Sequence, residues 1–172
     1  MIFLENYAKV VLYTYPLLKT VEKDYEEHIR NRAVLSYKSR LSAEELAEYL
    51  AEEILRKEKL EWLRSVVEGV LKKLSDLERA LLAIRYFGKT RAAKNFTAAV
   101  AGRVTAWSER EYFRRQQRLS EKVGAMLRCA GMTKEKYLTE FAELELFKKV
   151  HRFVERDRKI DSDERRWLKN ED

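Results

Sequence analysis

The sequence predicts an all-α fold, and three observations carry that prediction. The chain of 172 residues holds 5 Gly and 1 Pro, too few breakers for the many tight turns of a sandwich or barrel. Ala, Leu, Glu, Lys and Arg are abundant, and all are strong helix formers. Apolar residues recur at spacings of three and four along most of the length. Charged residues make up 38% of the chain with nearly balanced sign, which suits amphipathic helices rather than disorder. The expected architecture is a multi-helix protein with long amphipathic scaffold helices and a helix-turn-helix in the C-terminal half. Three consecutive segments follow: an N-terminal helical region at 1–70, the helix-turn-helix at 71–130, and a C-terminal helix and tail at 131–172.

The first helix carries Phe3, Leu4, Tyr7, Val10, Val11 and Tyr13. Pro16 suits the start of a second helix, because the first helical position needs no backbone N–H. Leu18, Val21, Tyr25 and Ile29 supply that helix with one apolar stripe, and residues 31–40 break the pattern as a connection.

Ser42-Ala43-Glu44-Glu45 reads as a capping box, with serine and glutamate each serving the other's amide. The helix it opens continues through Leu46, Leu50, Leu63, Val67 and Val70 to Leu74. Gly69 within it implies either a bend or a close approach. A helix of this length serves as a scaffold or as a dimerisation element, and sequence does not choose between them.

Ser75-Asp76-Leu77-Glu78 opens the next helix, which Gly88 closes. A short basic, alanine-rich helix is expected over 91–101, ended by Gly102. Ser108-Glu109-Arg110-Glu111 reads as a third capping box, starting a helix to about Arg128, with Gly131 as terminator. Thr133 opens a final long helix with the stripe Tyr137, Phe141, Leu144, Phe147/Leu146, Val150 and Phe153/Val154. Residues 161–172 are polar apart from Trp167, a short helix or a frayed tail.

The net charge of +7 is localised. Residues 67–132 hold 14 Lys/Arg against 6 Asp/Glu, an excess of +8, while 1–66 balance at −1 and 133–172 at zero. A localised basic block is the electrostatic footprint of a polyanion-binding module. On a helical wheel from Ser108, Tyr112, Gln116, Leu119, Val123 and Met126/Leu127 share the face expected to be buried. Arg110, Arg114, Gln117 and Arg118 take the opposite side, and Arg115 the flank. Arginine donates two parallel hydrogen bonds to guanine, and glutamine pairs similarly with adenine. The same arginines hold phosphates. That is the side-chain set a major-groove recognition helix requires.

Two stretches carry a family resemblance. Leu74-Ser75-Asp76-Leu77-Glu78-Arg79-Ala80-Leu81-Leu82-Ala83-Ile84-Arg85-Tyr86-Phe87 resembles the opening of sigma-factor region 4. Ser108-Glu109-Arg110-Glu111-Tyr112-Phe113-Arg114 resembles the "SERTYYR" start of the recognition helix in phage regulators of the ArpU/RinA type. The resemblance covers about Val66–Leu127. It implies a sigma-region-4-like transcriptional regulator of phage or mobile-element origin. It places Arg110, Glu111, Arg114 and Arg115 toward DNA. Gln117, Arg118, Arg103, Lys94 and Arg91 complete the expected DNA-binding set. The family's first-helix pattern is not recognisable over 89–105, where 98–101 is a loose substitute. Residues 20–66 show no aromatic promoter-melting motif, which disfavours an autonomous sigma factor.

The sequence points away from an enzyme. His28 and His151 lie far apart, and Cys129 has no neighbouring cysteine, so metal-ligand spacings are missing. The glycines are scattered and form no phosphate loop. Glu140, Glu143 and Glu145 lie close together, but nothing marks them as an acid/base pair. No cofactor and no metal are expected. One cysteine forbids an internal disulfide, and neither a secretory pattern nor a run of roughly 18 apolar residues is present. The expected setting is the cytoplasm, without a membrane. The expected partners are double-stranded DNA, RNA polymerase and a second copy of the chain. Two alternatives stand beside specific DNA binding: a helical protein that contacts RNA polymerase or another protein without touching DNA, and a sequence-tolerant DNA-binding accessory factor of a mobile element.

Overall fold

A computed structural model describes residues 4–34, 40–88 and 106–156. They are helical, with no strand among the described residues. In chain order the elements are α1 (Asn6–Val34), α2 (Ala43–Lys73), α3 (Asp76–Leu82) and a π-helical turn (Ala83–Phe87). After 106 come α4 (Glu109–Cys129), α5 (Lys134–Glu140) and a further helix, α6, at 145–156. The chain divides into two compact units, Met1–Pro16 with Val67–Asp172, and Leu17–Val66. Residues 4–16 thus group by contact with the C-terminal part of the chain.

α1 runs through Pro16, which does not begin a second helix. The ring removes the N–H that would bond the Leu12 carbonyl. Packing outweighs that loss, since Val10, Val11, Leu12 and Leu18 on either side are all fully buried. Buried Thr14 spends its hydroxyl on the Val11 carbonyl at 2.9 Å. The same helix extends to Val34, so the connection expected over 31–40 starts later than its sequence suggested.

Within Leu17–Val66, α1 and α2 run in opposite senses, Glu22 meeting Arg64 and His28 meeting Tyr49. The Arg64 Nε donates to both Glu22 oxygens, at 2.9 and 3.0 Å. Both boxes expected in the first half of the chain are formed. The Glu45 amide donates to Ser42 Oγ at 3.2 Å while the Ser42 amide donates to Glu45 at 2.8 Å. Ser75 and Glu78 repeat the pattern. The close approach considered at Gly69 is absent: a methyl group there would meet nothing within 4 Å.

In the other unit the start of α1 is central. Tyr7 lies against Tyr137 of α5, Tyr13 against Tyr86 and Phe153, and Tyr15 against Phe87. Leu4 approaches α4 so closely that a methyl on Gly124 would lie 3.1 Å from its Cδ1. Gly88 ends the π turn with φ of 58°, and Gly131 ends the α4 segment with φ of 94°, the left-handed region that favours glycine. The single long helix expected from Thr133 is broken at 141–144. The Phe141 and Phe147 rings meet in a tilted contact at 5.4 Å, both fully buried, and the break lets both enter the core.

Candidate nucleic-acid interface

The site is built on α4. Ser108 holds an extended backbone and its hydroxyl accepts from the Glu111 amide at 3.2 Å, which starts the helix. Gln116, Leu119, Val123 and Leu127 are buried, as anticipated from the wheel, and Gly124 is buried with them. Tyr112 and Met126 border it, half-buried.

Two contacts fix this face against α3. The Gln116 Nε2 donates to the Leu81 carbonyl at 2.8 Å and to the Tyr112 hydroxyl at 3.0 Å. Lys122 Nζ donates to both oxygens of Glu78, at 2.8 and 3.0 Å. Later residues of α4 meet earlier residues of α3, so the two helices run in opposite senses. Leu81 stands just before the turn where backbone bonding widens from four residues to five, a point where a side-chain donor can serve a carbonyl. Desolvation pushes the Glu78 carboxyl up, but the bonds from Lys122 and the Ser75 amide prevail and hold it below the ordinary 4.5.

On the opposite side Arg110, Arg114 and Arg118 are exposed, while Arg115 and Gln117 are half-buried. The structure therefore brings Arg110, Glu111, Arg114, Arg115, Gln117 and Arg118 onto one helix. Arg91, Lys94 and Arg103 lie outside the described residues, as does the first helix expected over 91–101.

The third capping box is only half made. Glu111 does not return to the Ser108 amide, because its carboxylate is taken by two arginines. Arg115 Nε donates to Glu111 Oε1 at 2.7 Å, and Arg114 bonds the other oxygen. Desolvation acts to raise the Glu111 pKa, yet the bonds from Arg115 and Arg114 overcome it and leave the carboxyl below its usual value. The Arg115 guanidinium also lies over the Trp107 ring, 4.3 Å from its centre.

Compared with models of protein families, with curated proteins and with solved structures, the chain matches none.

Sequence reasoning missed two features here. One is Trp107 as a platform for Arg115. The other is Glu111 as a counter-ion to Arg114 and Arg115. The second had a signal, since a glutamate three and four residues before two arginines is the spacing that pairs charges on a helix. The first had none, because Trp107 precedes the helix and a wheel cannot place it.

The histidines have local partners: His28 bonds Tyr49 at 2.7 Å, and His151 bonds Glu155 at 3.0 Å. Glu140 and Glu143 pair with Lys136 and Lys148. No cluster of three metal-ligating side chains occurs among the described residues, and no helix among them is long and apolar enough to cross a membrane.

Proposed function

We propose that the chain is a DNA-binding transcription regulator of the sigma-region-4-like kind, reading the major groove with the helix 108–128. The carrying observation is the division of α4. One face is buried and pinned to α3 by Gln116 and Lys122, and the other presents Arg110, Arg114 and Arg118 to solvent. Pinning matters because base readout needs a helix held at a fixed angle. The +8 block supplies sequence-independent attraction to phosphate, and the arginine face supplies discrimination.

Selection from random duplexes, followed by gel shifts over a salt series, tests this reading. A recovered consensus with salt-dependent binding supports it. Salt-dependent binding without any consensus supports the sequence-tolerant accessory factor instead. Arg114→Ala is expected to cost about 1–3 kcal/mol on the consensus if that side chain reads a base.

A second reading is favoured by one observation. Ile54 and Leu55 on α2 are 42% and 56% exposed, the kind of apolar surface that a protein partner covers. Co-purification with RNA polymerase, without a duplex shift at low salt, would select it.

A further inference from the structure

We infer that Glu111 is an internal competitor for DNA phosphate, an autoinhibitory clamp that occupies Arg114 and Arg115 until the backbone of a duplex displaces it. The inference rests on the DNA-binding reading and adds a control to the same site.

Arg114 and Arg115 are consecutive on α4, and their guanidinium groups converge on the two oxygens of one carboxylate. A carboxylate holding two arginines occupies the position that the two non-bridging oxygens of a backbone phosphate would take. Arg115 is held from its other side by the Trp107 ring, so it stays oriented when Glu111 leaves. Glu111 sits in the first turn of α4, where the helix dipole favours a negative group. The place it fills is therefore one that suits an anion twice over, through the arginines and through the helix end.

Both arginines are substantially exposed, 60% for Arg114 and 41% for Arg115, so the ion pairs are weak and easily exchanged. A single phosphate contact competes with them at low salt. The cost of breaking the clamp falls equally on every duplex. It lowers affinity for all of them alike, so that at a given protein concentration only duplexes with enough further contacts are occupied. This assigns Glu111 a role opposite to base reading, in which its carboxylate would accept from a cytosine amino group and strengthen binding.

The test compares wild type, Glu111→Gln and Glu109→Gln on a random-sequence duplex and on the consensus selected by wild type, across a salt series. Glu109→Gln removes a charge from the same helical turn without freeing either arginine. Under the clamp, Glu111→Gln binds the random duplex about 1.5- to 30-fold tighter, the range set by losing one or two exposed ion pairs. Its log–log salt slope steepens by about 1 to 2, as expected for one or two further phosphate contacts. Glu109→Gln changes little, and Glu111→Gln tightens the consensus and the random duplex by a similar factor. Equal behaviour of the two variants overturns the clamp, because net charge alone then explains the gain. Weaker consensus binding by Glu111→Gln overturns it in favour of base reading. Wild type that binds no duplex overturns the DNA-binding reading and the clamp with it, whereas unchanged binding by Glu111→Gln alongside a binding wild type removes the clamp alone.

Discussion

Gln116 and Leu81, thirty-five residues apart, are joined by a side-chain amide that donates to a buried carbonyl at 2.8 Å. Gln116 is 2% exposed, so water cannot replace the bond if it is lost. Its Oε1 makes no hydrogen bond among the described residues, so the side chain acts here through its donor alone. Gln116→Ala is expected to lower stability by about 2 kcal/mol, combining an unmet carbonyl with a small cavity. Urea denaturation measures it. A cost under about 0.5 kcal/mol, the level of an ordinary surface change, would show that the bond does not hold α4.

The other tie between these helices is acid-sensitive. Glu78 has a folded-state pKa below its ordinary 4.5. Its contribution to stability is thus present above the unfolded value and is lost as pH falls through the folded one. Glu78→Gln should be less stable than wild type at neutral pH and should lose less on acidification below about 4.5. Parallel unfolding curves for the two proteins from neutral pH to acid would check this, and identical acid limbs would refute it.

Much of this architecture was readable from periodicity and caps. Ser42, Ser75 and Ser108 each mark a helix start because a serine followed three residues later by glutamate satisfies free amides locally, with no reference to the rest of the fold. The buried stripe of α4 was equally local. What failed depended on distant packing. Pro16 is a helix start by propensity, yet it lies inside α1 because the residues around it are buried. The break at 141–144 is set by where the core accepts Phe141 and Phe147, which no wheel contains. For the site, the arginines were legible one at a time. Their convergence on Glu111 needed side-chain geometry.

Two glycines in helix interiors should respond in different ways. At Gly69 a methyl meets nothing, so Gly69→Ala is expected to stabilise the chain by about 0.5–1 kcal/mol through helix propensity alone. At Gly124 a methyl would lie 3.1 Å from Leu4 Cδ1, the end of a flexible side chain. There the same propensity gain is offset by the displaced leucine, and Gly124→Val should cost about 1–3 kcal/mol by overpacking. Thermal melts of the three variants rank them directly.

Burial pushes the Tyr137 hydroxyl up to about 12. A raised pKa means that its share of stability is intact below the ordinary value of 10.0 and disappears as pH climbs toward 12. Tyr137→Phe should flatten part of the alkaline loss of stability and remove a phenolate that titrates at about 12 from an absorbance titration. If that phenolate persists in the variant, another tyrosine is responsible.

Arg118 is exposed on α4 and belongs to no ion pair among the described residues. Under the proposed function it is a ready phosphate ligand. Arg118→Ala should weaken all duplexes by a similar factor and reduce the salt slope by about 1. A loss confined to the selected consensus would instead make it a base reader.

The Glu22–Arg64 pair has a consequence for evolution of the α1–α2 hairpin. The glutamate is 6% exposed and its two oxygens are both held by one guanidinium on the opposing helix. Sliding either helix by one turn would strand that carboxylate without a counter-charge, a penalty of about 3–5 kcal/mol for a buried ion deprived of its partner. Leucines along a seam tolerate such slippage, because one leucine substitutes for the next. An ionic lock admits one alignment. Insertions or deletions in the two helices should therefore accumulate on the loop side of the pair, where the hairpin can lengthen or shorten without changing its phase.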